Sequence, residues 1–356
     1  MTRTAASRAS EISGAGEIAF SSVFSDHMFT ATWRQNRWVD AGIRPYGPLS
    51  LPPNVSALQY GLSVFEGLKA QRMPDGRVAL FRPTSNAQRL NISARRLAMP
   101  EVPEALFLEA LRTLVRLDEA WVPNHGSGAL YVRPCLFSID PSVRVKPPGE
   151  CLFVIFTFPF SSYYSATVDL LVSETQVRAF PGGTGDIKPA GNYAPTLLAE
   201  REARDAGFHS VLWLDGMHRS FIEECGVMNI FFVLDDEVIT PPLEGTILPG
   251  ITRDSALTLL RDMGARVTER RVSIEEIVEA HRAGRLRECF GTGTAATLSQ
   301  IGRIRYRNED LRLPAGGPDA IGSMLRDRLN GVASGAQADP YQWLDVLSPL
   351  NHERRS

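Results

Sequence analysis

Residues 181–194 read PGGTGDIKPAGNYA, a glycine-rich run that delivers a lysine, Lys188, and five residues later a phenol, Tyr193. A lysine by itself is an ordinary solvated surface residue. Burial or a neighbouring cation makes its amine a nucleophile toward carbonyls. The flanking glycines allow close approach of a planar ligand, and Tyr193 supplies a hydroxyl to bond one. Upstream, Val168 to Val172 reads as a strand. Downstream a helix is predicted from about Ala194 to Ala206, ended by Gly207. Val211 to Leu214, the Asp215–Gly216 turn and the segment to Ile222 form a predicted hairpin. A further strand pair runs from Asn229 to Val233 and Glu237 to Ile239.

The first half mixes the same elements. Arg77 to Phe81 reads as a strand after a Pro74–Asp75–Gly76 turn, and helices are predicted from Ser85 and over Glu104 to Val115. Ala129 to Phe137 and Cys151 to Phe158 are rich in β-branched and aromatic residues, as strands are. The pattern lapses around Phe160 to Thr167. The expectation is therefore an α+β (mixed α/β) chain of two domains: a smaller one over 1–160, a loop over 161–170, and a larger one over 171–356.

At 356 residues the chain suits two cores, and 44% hydrophobic with 22% charged residues is a globular balance. A net charge of −2 implies no polyanion partner, so nucleic acid is not expected. No segment has signal-peptide or membrane-span character. The first ten residues contain Arg and Ser without acid, which leaves an organelle presequence as the alternative to a plain tail. Cys135, Cys151, Cys225 and Cys289 have no CxxC pairing, so no metal or disulfide is expected and a cytoplasmic location follows.

Other segments carry candidate chemistry. Strict alternation over Phe221 to Gly226 places Ile222 and Glu224 on one face and Glu223 on the other. An inward carboxylate needs a partner, and a protonated ring nitrogen is one; otherwise Glu224 is a solvated strand-end acid. Leu248–Pro249–Gly250 leads into a helix from Ile251 and Thr252 whose first N–H groups suit a phosphate. The turn Gly293–Thr294–Ala295–Ala296 offers amides and a hydroxyl to an anion. Tyr131 and Arg133 share a strand face and together suit a carboxylate. Arg89 lies mid-helix, where an arginine is commonly only a surface ion pair.

Taken together and in order, these segments resemble the branched-chain-amino-acid aminotransferases, fold-type-IV enzymes that use pyridoxal 5′-phosphate. The match includes Asp26–His27–Met28, Tyr46–Gly47–Pro48, Tyr60–Gly61 and Val64–Phe65–Glu66–Gly67, then Phe81–Arg82–Pro83 with Asn86 and Arg89. It continues through Tyr131–Val132–Arg133, Lys188 with Tyr193, Glu224 with Met228–Asn229, residues 248–253, residues 293–296, and Asp339–Pro340–Tyr341 with Trp343. The resemblance implies that Lys188 carries the cofactor as a Schiff base and moves the substrate proton. It implies Glu224 at the ring nitrogen, Tyr193 at the ring hydroxyl, and Arg89, Ile251, Thr252 and Thr294 at the phosphate. Thr294 and Ala295 would take the α-carboxylate. Arg133 and Tyr131 would take the distal carboxylate of glutamate. Phe65, Tyr60 and Phe160 would form the apolar pocket, with Tyr60 given by a second subunit, so a homodimer is implied.

The implied reaction interconverts leucine, isoleucine or valine and 2-oxoglutarate with their 2-oxo acids and glutamate. Methylenes alone discriminate by about 1–3 kcal/mol each, so substrate breadth is expected. Some positions depart from the family pattern. Gln59 stands for a usual histidine, Val227 for a small residue or threonine, Arg144 for a glycine in the loop Ser142–Val145, and Pro189 for a small residue. The stretch Ala296–Ser299 lacks the cysteine pair of the vertebrate enzymes. Gln59, Arg144 and Val227 motivate an alternative, an aminotransferase of specialised metabolism with an unusual donor. The Tyr131–Arg133 pair and the GTAA turn argue against D-amino-acid aminotransferase and aminodeoxychorismate lyase. A non-catalytic binding protein of the same fold is disfavoured by the joint presence of Lys188, Tyr193 and Glu224.

Overall fold

A computed structural model describes residues 18–161, 167–314 and 316–348. These fall into two compact units, one of residues up to 161 together with those from 331, the other of 167–330. The centre of the expected interdomain loop, 162–166, and the N-terminal tail lie outside the described residues.

The first unit is built on an eight-stranded sheet. Its strands are β1 (His27–Arg34), β2 (Arg37–Pro45), β3 (Ser63–Phe65), β4 (Leu68–Arg72), β5 (Val78–Phe81), β6 (Ala129–Ser138), β7 (Cys151–Phe160) and the late strand Leu344–Val346. The spine runs β5–β4–β6–β7–β1–β2, with β3 paired to β6. Helices Pro83–Arg96 and Glu104–Leu117 supply Leu90, Phe107, Leu111 and Leu114, all fully buried, to the core formed with Leu68, Leu130 and Phe153. Leu344–Val346 corrects the expectation that everything after 171 forms one domain. It pairs antiparallel with β5, and the Trp343 carbonyl accepts from the Arg82 amide at 2.7 Å. The chain end covers what would otherwise be an open sheet edge.

The second unit holds β8 (Val168–Val172), β9 (Ser210–Leu214), β10 (Ile222–Cys225), β11 (Met228–Leu234), β12 (Glu237–Thr240), β13 (Arg266–Glu269), β14 (Leu286–Gly293), β15 (Thr297–Tyr306) and β16 (Glu309–Arg312). The order β10–β9–β8–β15–β14–β11 closes on itself, because β10 also pairs with β11. That ring leaves no edge among its members and encloses Leu170, Leu212, Ile230, Phe232 and Ile301. The β9–β10 connection is fastened by Asp215, whose carboxylate accepts from the amides of Met217, His218, Ser220 and Phe221 at 2.7–3.1 Å. Burial alone would raise this carboxyl, but the four amides outweigh it and hold it at about 2.

The predicted strand at 168–172 and the paired strands after Asn229 are present as expected. The helix expected from Ala194 is a 3-10 turn over Ala194–Thr196 before the α-helix Leu197–Asp205.

Candidate active site

In the second unit Lys188 sits half-buried after the glycine-rich run, and its Nζ donates to the Tyr193 hydroxyl at 2.8 Å. The two are joined by a short 3-10 turn, Ala190–Asn192, tied back by the Asn192 side-chain amide, which donates to the Thr184 and Ile187 carbonyls. One of the glycines, Gly185, serves a different purpose from the one expected. A Cβ on Gly185 would overlap the Thr246 carbonyl and the Ala179 side chain, so this glycine admits neighbouring protein backbone, not a planar ligand.

Glu224 on β10 is 5% exposed and faces Arg178, 3.0 Å from guanidinium Nε to carboxylate Oε2. This is a charge contact without hydrogen-bond alignment at that nitrogen. The other carboxylate oxygen accepts from the Leu248 amide at 2.9 Å. Burial pushes the Glu224 carboxyl up, while Arg178, the Leu248 amide and Lys188 pull it down; the net direction is upward. Arg178 also donates to the carbonyls of Gly185 and Thr246. Arg178 was not legible in the sequence. The only clue was indirect: an interior acid requires a cation, and the sequence does not say which of many arginines supplies it.

Glu223, expected on the face opposite Glu224, is buried as well. The β9–β10 register shifts between Ile222 and Glu224, and both acids are buried, Glu223 at 6% exposure.

The Leu248–Thr252 turn is fastened to the same strands. Asn229, the register partner of Glu224, donates its side-chain amide to the Leu248 carbonyl at 3.0 Å. A Cβ on Gly250 would overlap the Asn229 side-chain oxygen, so any larger residue there would have to displace that amide. Gly250 has no side chain to cap the first amides, which leaves the helix start suited to an anion. Arg253, 3% exposed, anchors this turn through Glu269 at 2.9 Å and the Pro241 carbonyl at 2.8 Å. Thr292 pairs in register with Asn229, and its buried hydroxyl has no hydrogen-bond partner among the described residues. Thr294 and Ala295 lie in the adjacent tight turn between β14 and β15. Val227 is exposed in the β10–β11 turn.

In the first unit Tyr131 and Arg133 do share a face of β6, and Arg133 donates to the Tyr131 hydroxyl at 3.3 Å. The guanidinium lies over the Phe65 ring at 4.6 Å. Gly67 makes room for the Tyr131 hydroxyl, which a Cβ would overlap. Phe160 is buried near Tyr131, at 6.0 Å between centroids. Phe20, missed by the sequence reading, meets Tyr131, Phe158 and Phe160 edge-on at 4.9–5.4 Å. Arg89 is not a surface arginine. It grips fully buried Glu66 through two bonds of 2.7 and 2.8 Å, with Asn86 on the same carboxylate at 2.8 Å.

Tyr60 closes the short helix Ser56–Tyr60, and its hydroxyl donates to the Val143 carbonyl. Gln59 donates to the Pro53 carbonyl at 2.9 Å, and Arg144 lies exposed in the loop beside Val143.

A family model described as amino-transferase class IV matches residues 63–304. Branched-chain-amino-acid aminotransferase 2 of Bacillus subtilis (strain 168) is 42% identical over 342 residues, 95% of this chain and 94% of that protein. The branched-chain-amino-acid aminotransferase of Mycobacterium tuberculosis (strain ATCC 25618 / H37Rv) is 44% identical over 340 residues, covering 93% and 92%. Among solved structures, the Escherichia coli branched-chain amino acid aminotransferase superposes with a TM-score of 0.73 at 27% identity, covering 90% of this chain and 98% of that one. The T.th. branched-chain amino acid aminotransferase with pyridoxamine 5′-phosphate gives 0.73 at 25% identity, covering 89% and 98%.

Proposed function

This chain belongs to the class IV aminotransferases and, within them, to the branched-chain-amino-acid aminotransferases, and from that premise we propose how its residues divide the work. The enzyme transfers the amino group between leucine, isoleucine or valine and 2-oxoglutarate, using pyridoxal 5′-phosphate. The residues of the second unit fit that cofactor: an amine beside a phenol, a buried acid matched to a cation, and an uncapped helix start beside an orphaned hydroxyl. When bound, the cofactor acts as an electron sink that acidifies the substrate Cα–H.

Lys188 would hold the cofactor through its amine and, when that amine is free, would move the proton at substrate Cα. Its 2.8 Å contact with Tyr193 is the observation that carries this reading. Tyr193 orients that amine and would meet the ring hydroxyl. Glu224 would hold a proton at the ring nitrogen, and Arg178 opposes the upward push of burial on its carboxyl. Ile251, Thr252 and Thr294 would bind the phosphate, and Thr294 with Ala295 the α-carboxylate. Arg89 remains a proposed phosphate ligand on family resemblance, beside its observed grip on Glu66.

Arg133 and Tyr131 are proposed to take the distal carboxylate of glutamate, with Phe65, Phe160 and Tyr60 lining the aliphatic pocket. Purified enzyme should form glutamate from leucine and 2-oxoglutarate. Arg133→Met keeps the packing over Phe65 and removes the charge. KM for 2-oxoglutarate should rise about 10- to 100-fold, the scale of a lost charged hydrogen bond, with leucine kcat/KM nearly unchanged. Steady-state kinetics with each substrate varied would show it. Equal losses for both substrates would remove Arg133 from this role.

A homodimer is proposed. Leu58, Tyr60, Val143 and Val145 expose apolar surface on a helix and loop that are joined to each other, at 64%, 50%, 63% and 87%. Light scattering should return twice the 39.2 kDa chain mass; a monomer at micromolar concentration would exclude it. A cytoplasmic location is proposed too, supported by four unpaired cysteines.

A further inference from the structure

The helix Ile251–Asp262 starts at the turn assigned above to phosphate, and its first turn carries a guanidinium, that of Arg253, which is 3% exposed. This placement runs against local energetics twice. The partial positive charge of a helix start favours acids there over cations. Burying a guanidinium also costs desolvation that an apolar side chain of similar length does not. What the arginine adds is therefore direction, and its partners define it. It donates to the Pro241 carbonyl at 2.8 Å and to the Glu269 carboxylate at 2.9 Å. Pro241 follows β12, Glu269 ends β13, and Thr240, the last residue of β12, pairs in register with Glu269. The side chain thus pins the helix start to one end of a parallel strand pair. Burial would raise the Glu269 carboxyl, but Arg253 and Arg261 outweigh it and hold it below its usual value, so the anchor is charged at neutral pH.

The same turn is held a second time, from β11. Asn229 donates to the Leu248 carbonyl at 3.0 Å, and its side-chain oxygen lies where a Cβ on Gly250 would be. Anchors on separate strands fix the axis of the helix start, and with it the direction of the Ile251 and Thr252 amides. An anion gains most from amides already aimed at it, because ordering them on arrival costs binding energy. The charge of Arg253 is matched by Glu269, so it acts through position. We propose that Arg253 is the positioning residue of the phosphate site, aiming the Ile251 and Thr252 amides at the cofactor phosphate by tying the helix start to the ends of β12 and β13. This deepens the cofactor reading and rests on its phosphate assignment.

The test compares Kd for pyridoxal 5′-phosphate and for pyridoxal, which lacks the phosphate, in the full-length apoenzyme and its variants. Arg253→Met should bind pyridoxal 5′-phosphate at least about tenfold more weakly, the scale of a lost hydrogen bond to a charged group, and bind pyridoxal as the parent does. Glu269 keeps Arg261 at 3.0 Å in that variant, so no carboxylate is left without a cation. Arg253→Lys keeps the charge but not the planar fork, and should fall between parent and Arg253→Met. Arg261→Ala removes the other guanidinium from Glu269 and should leave both constants unchanged. A merely structural arginine would lower the urea midpoint and keep the ratio of the two constants, and that result would overturn the proposal. Should Arg253→Met not fold, a parent-like ratio in Arg253→Lys would overturn it equally. Ile251→Pro separates the proposal from the reading beneath it, since proline suits the first helical position and deletes one of the proposed phosphate amides. An unchanged ratio in Ile251→Pro would remove the phosphate assignment and the proposal with it. A ratio lost there but kept in Arg253→Met would overturn the proposal alone.

Discussion

Lys188→Ala is expected to lose transaminase activity by at least about 10³-fold, since acid–base transfer alone typically contributes 10²–10⁴ and the covalent role is lost as well. The side chain is half-buried and donates to Tyr193, so truncation removes polar contacts and little packing. Stability should therefore stay within about 1 kcal/mol of the parent, the net value of a typical hydrogen bond. Two readouts separate chemistry from folding. Visible absorbance of covalently bound cofactor should vanish, while the denaturation midpoint barely moves relative to the cofactor-free parent. Borohydride reduction followed by mass spectrometry of the parent should find the cofactor mass on Lys188. Finding it on another lysine, or retaining activity in the variant, would dismantle the assignment.

Arg178 and Glu224 form the second large effect. Both side chains are under 10% exposed, and removing one member strands the other in a low-dielectric interior. Breaking such a pair costs about 3–5 kcal/mol. Arg178→Met should therefore lower unfolding free energy by about that amount in urea titrations, with kcat falling about 10²-fold on the scale of a lost preorganised charge. Glu224→Gln should show the kcat loss with a smaller stability change, because the amide oxygen can still accept from the Leu248 amide. The pH dependence has a definite sign. Burial raises the Glu224 carboxyl above its unfolded value, so between the two values the folded state binds more protons than the unfolded state. Stability falls as pH rises through that window. Removing Arg178, the main group lowering this carboxyl, should widen the window upward. A variant whose stability and pH profile matched the parent would show that the pair carries no such energy.

The contrast between Glu223 and Glu224 shows where local reading stops. A period of two placed Glu224 and Glu223 on opposite faces, because a β-strand alternates faces wherever it is regular, and left open whether either face is buried. Both acids are buried, because all four residues of β10 are covered. Arg178 lies well before Lys188 in a stretch without periodic signal, and Phe20 lies far from the aromatic strands it meets. Neither could be found by spacing.

What the amino-acid order determined unaided was written within a few residues: the Lys188–Tyr193 spacing, the Gly250 helix entry, the shared face of Tyr131 and Arg133, and local elements such as the strands near 77–81, 129–137, 151–158 and 168–172 and the helix near 104–115. Those depend on backbone geometry and short-range periodicity, which act over one or two turns of chain. Tertiary structure alone decided which cation meets the interior acid, that Arg89 grips Glu66, that the last strand returns to the first unit, and that six strands close into a ring. Each of these joins residues distant in sequence. Their pairing is settled by burial and charge balance in the assembled core, where an unpaired charge is too costly to leave and the chain order is silent.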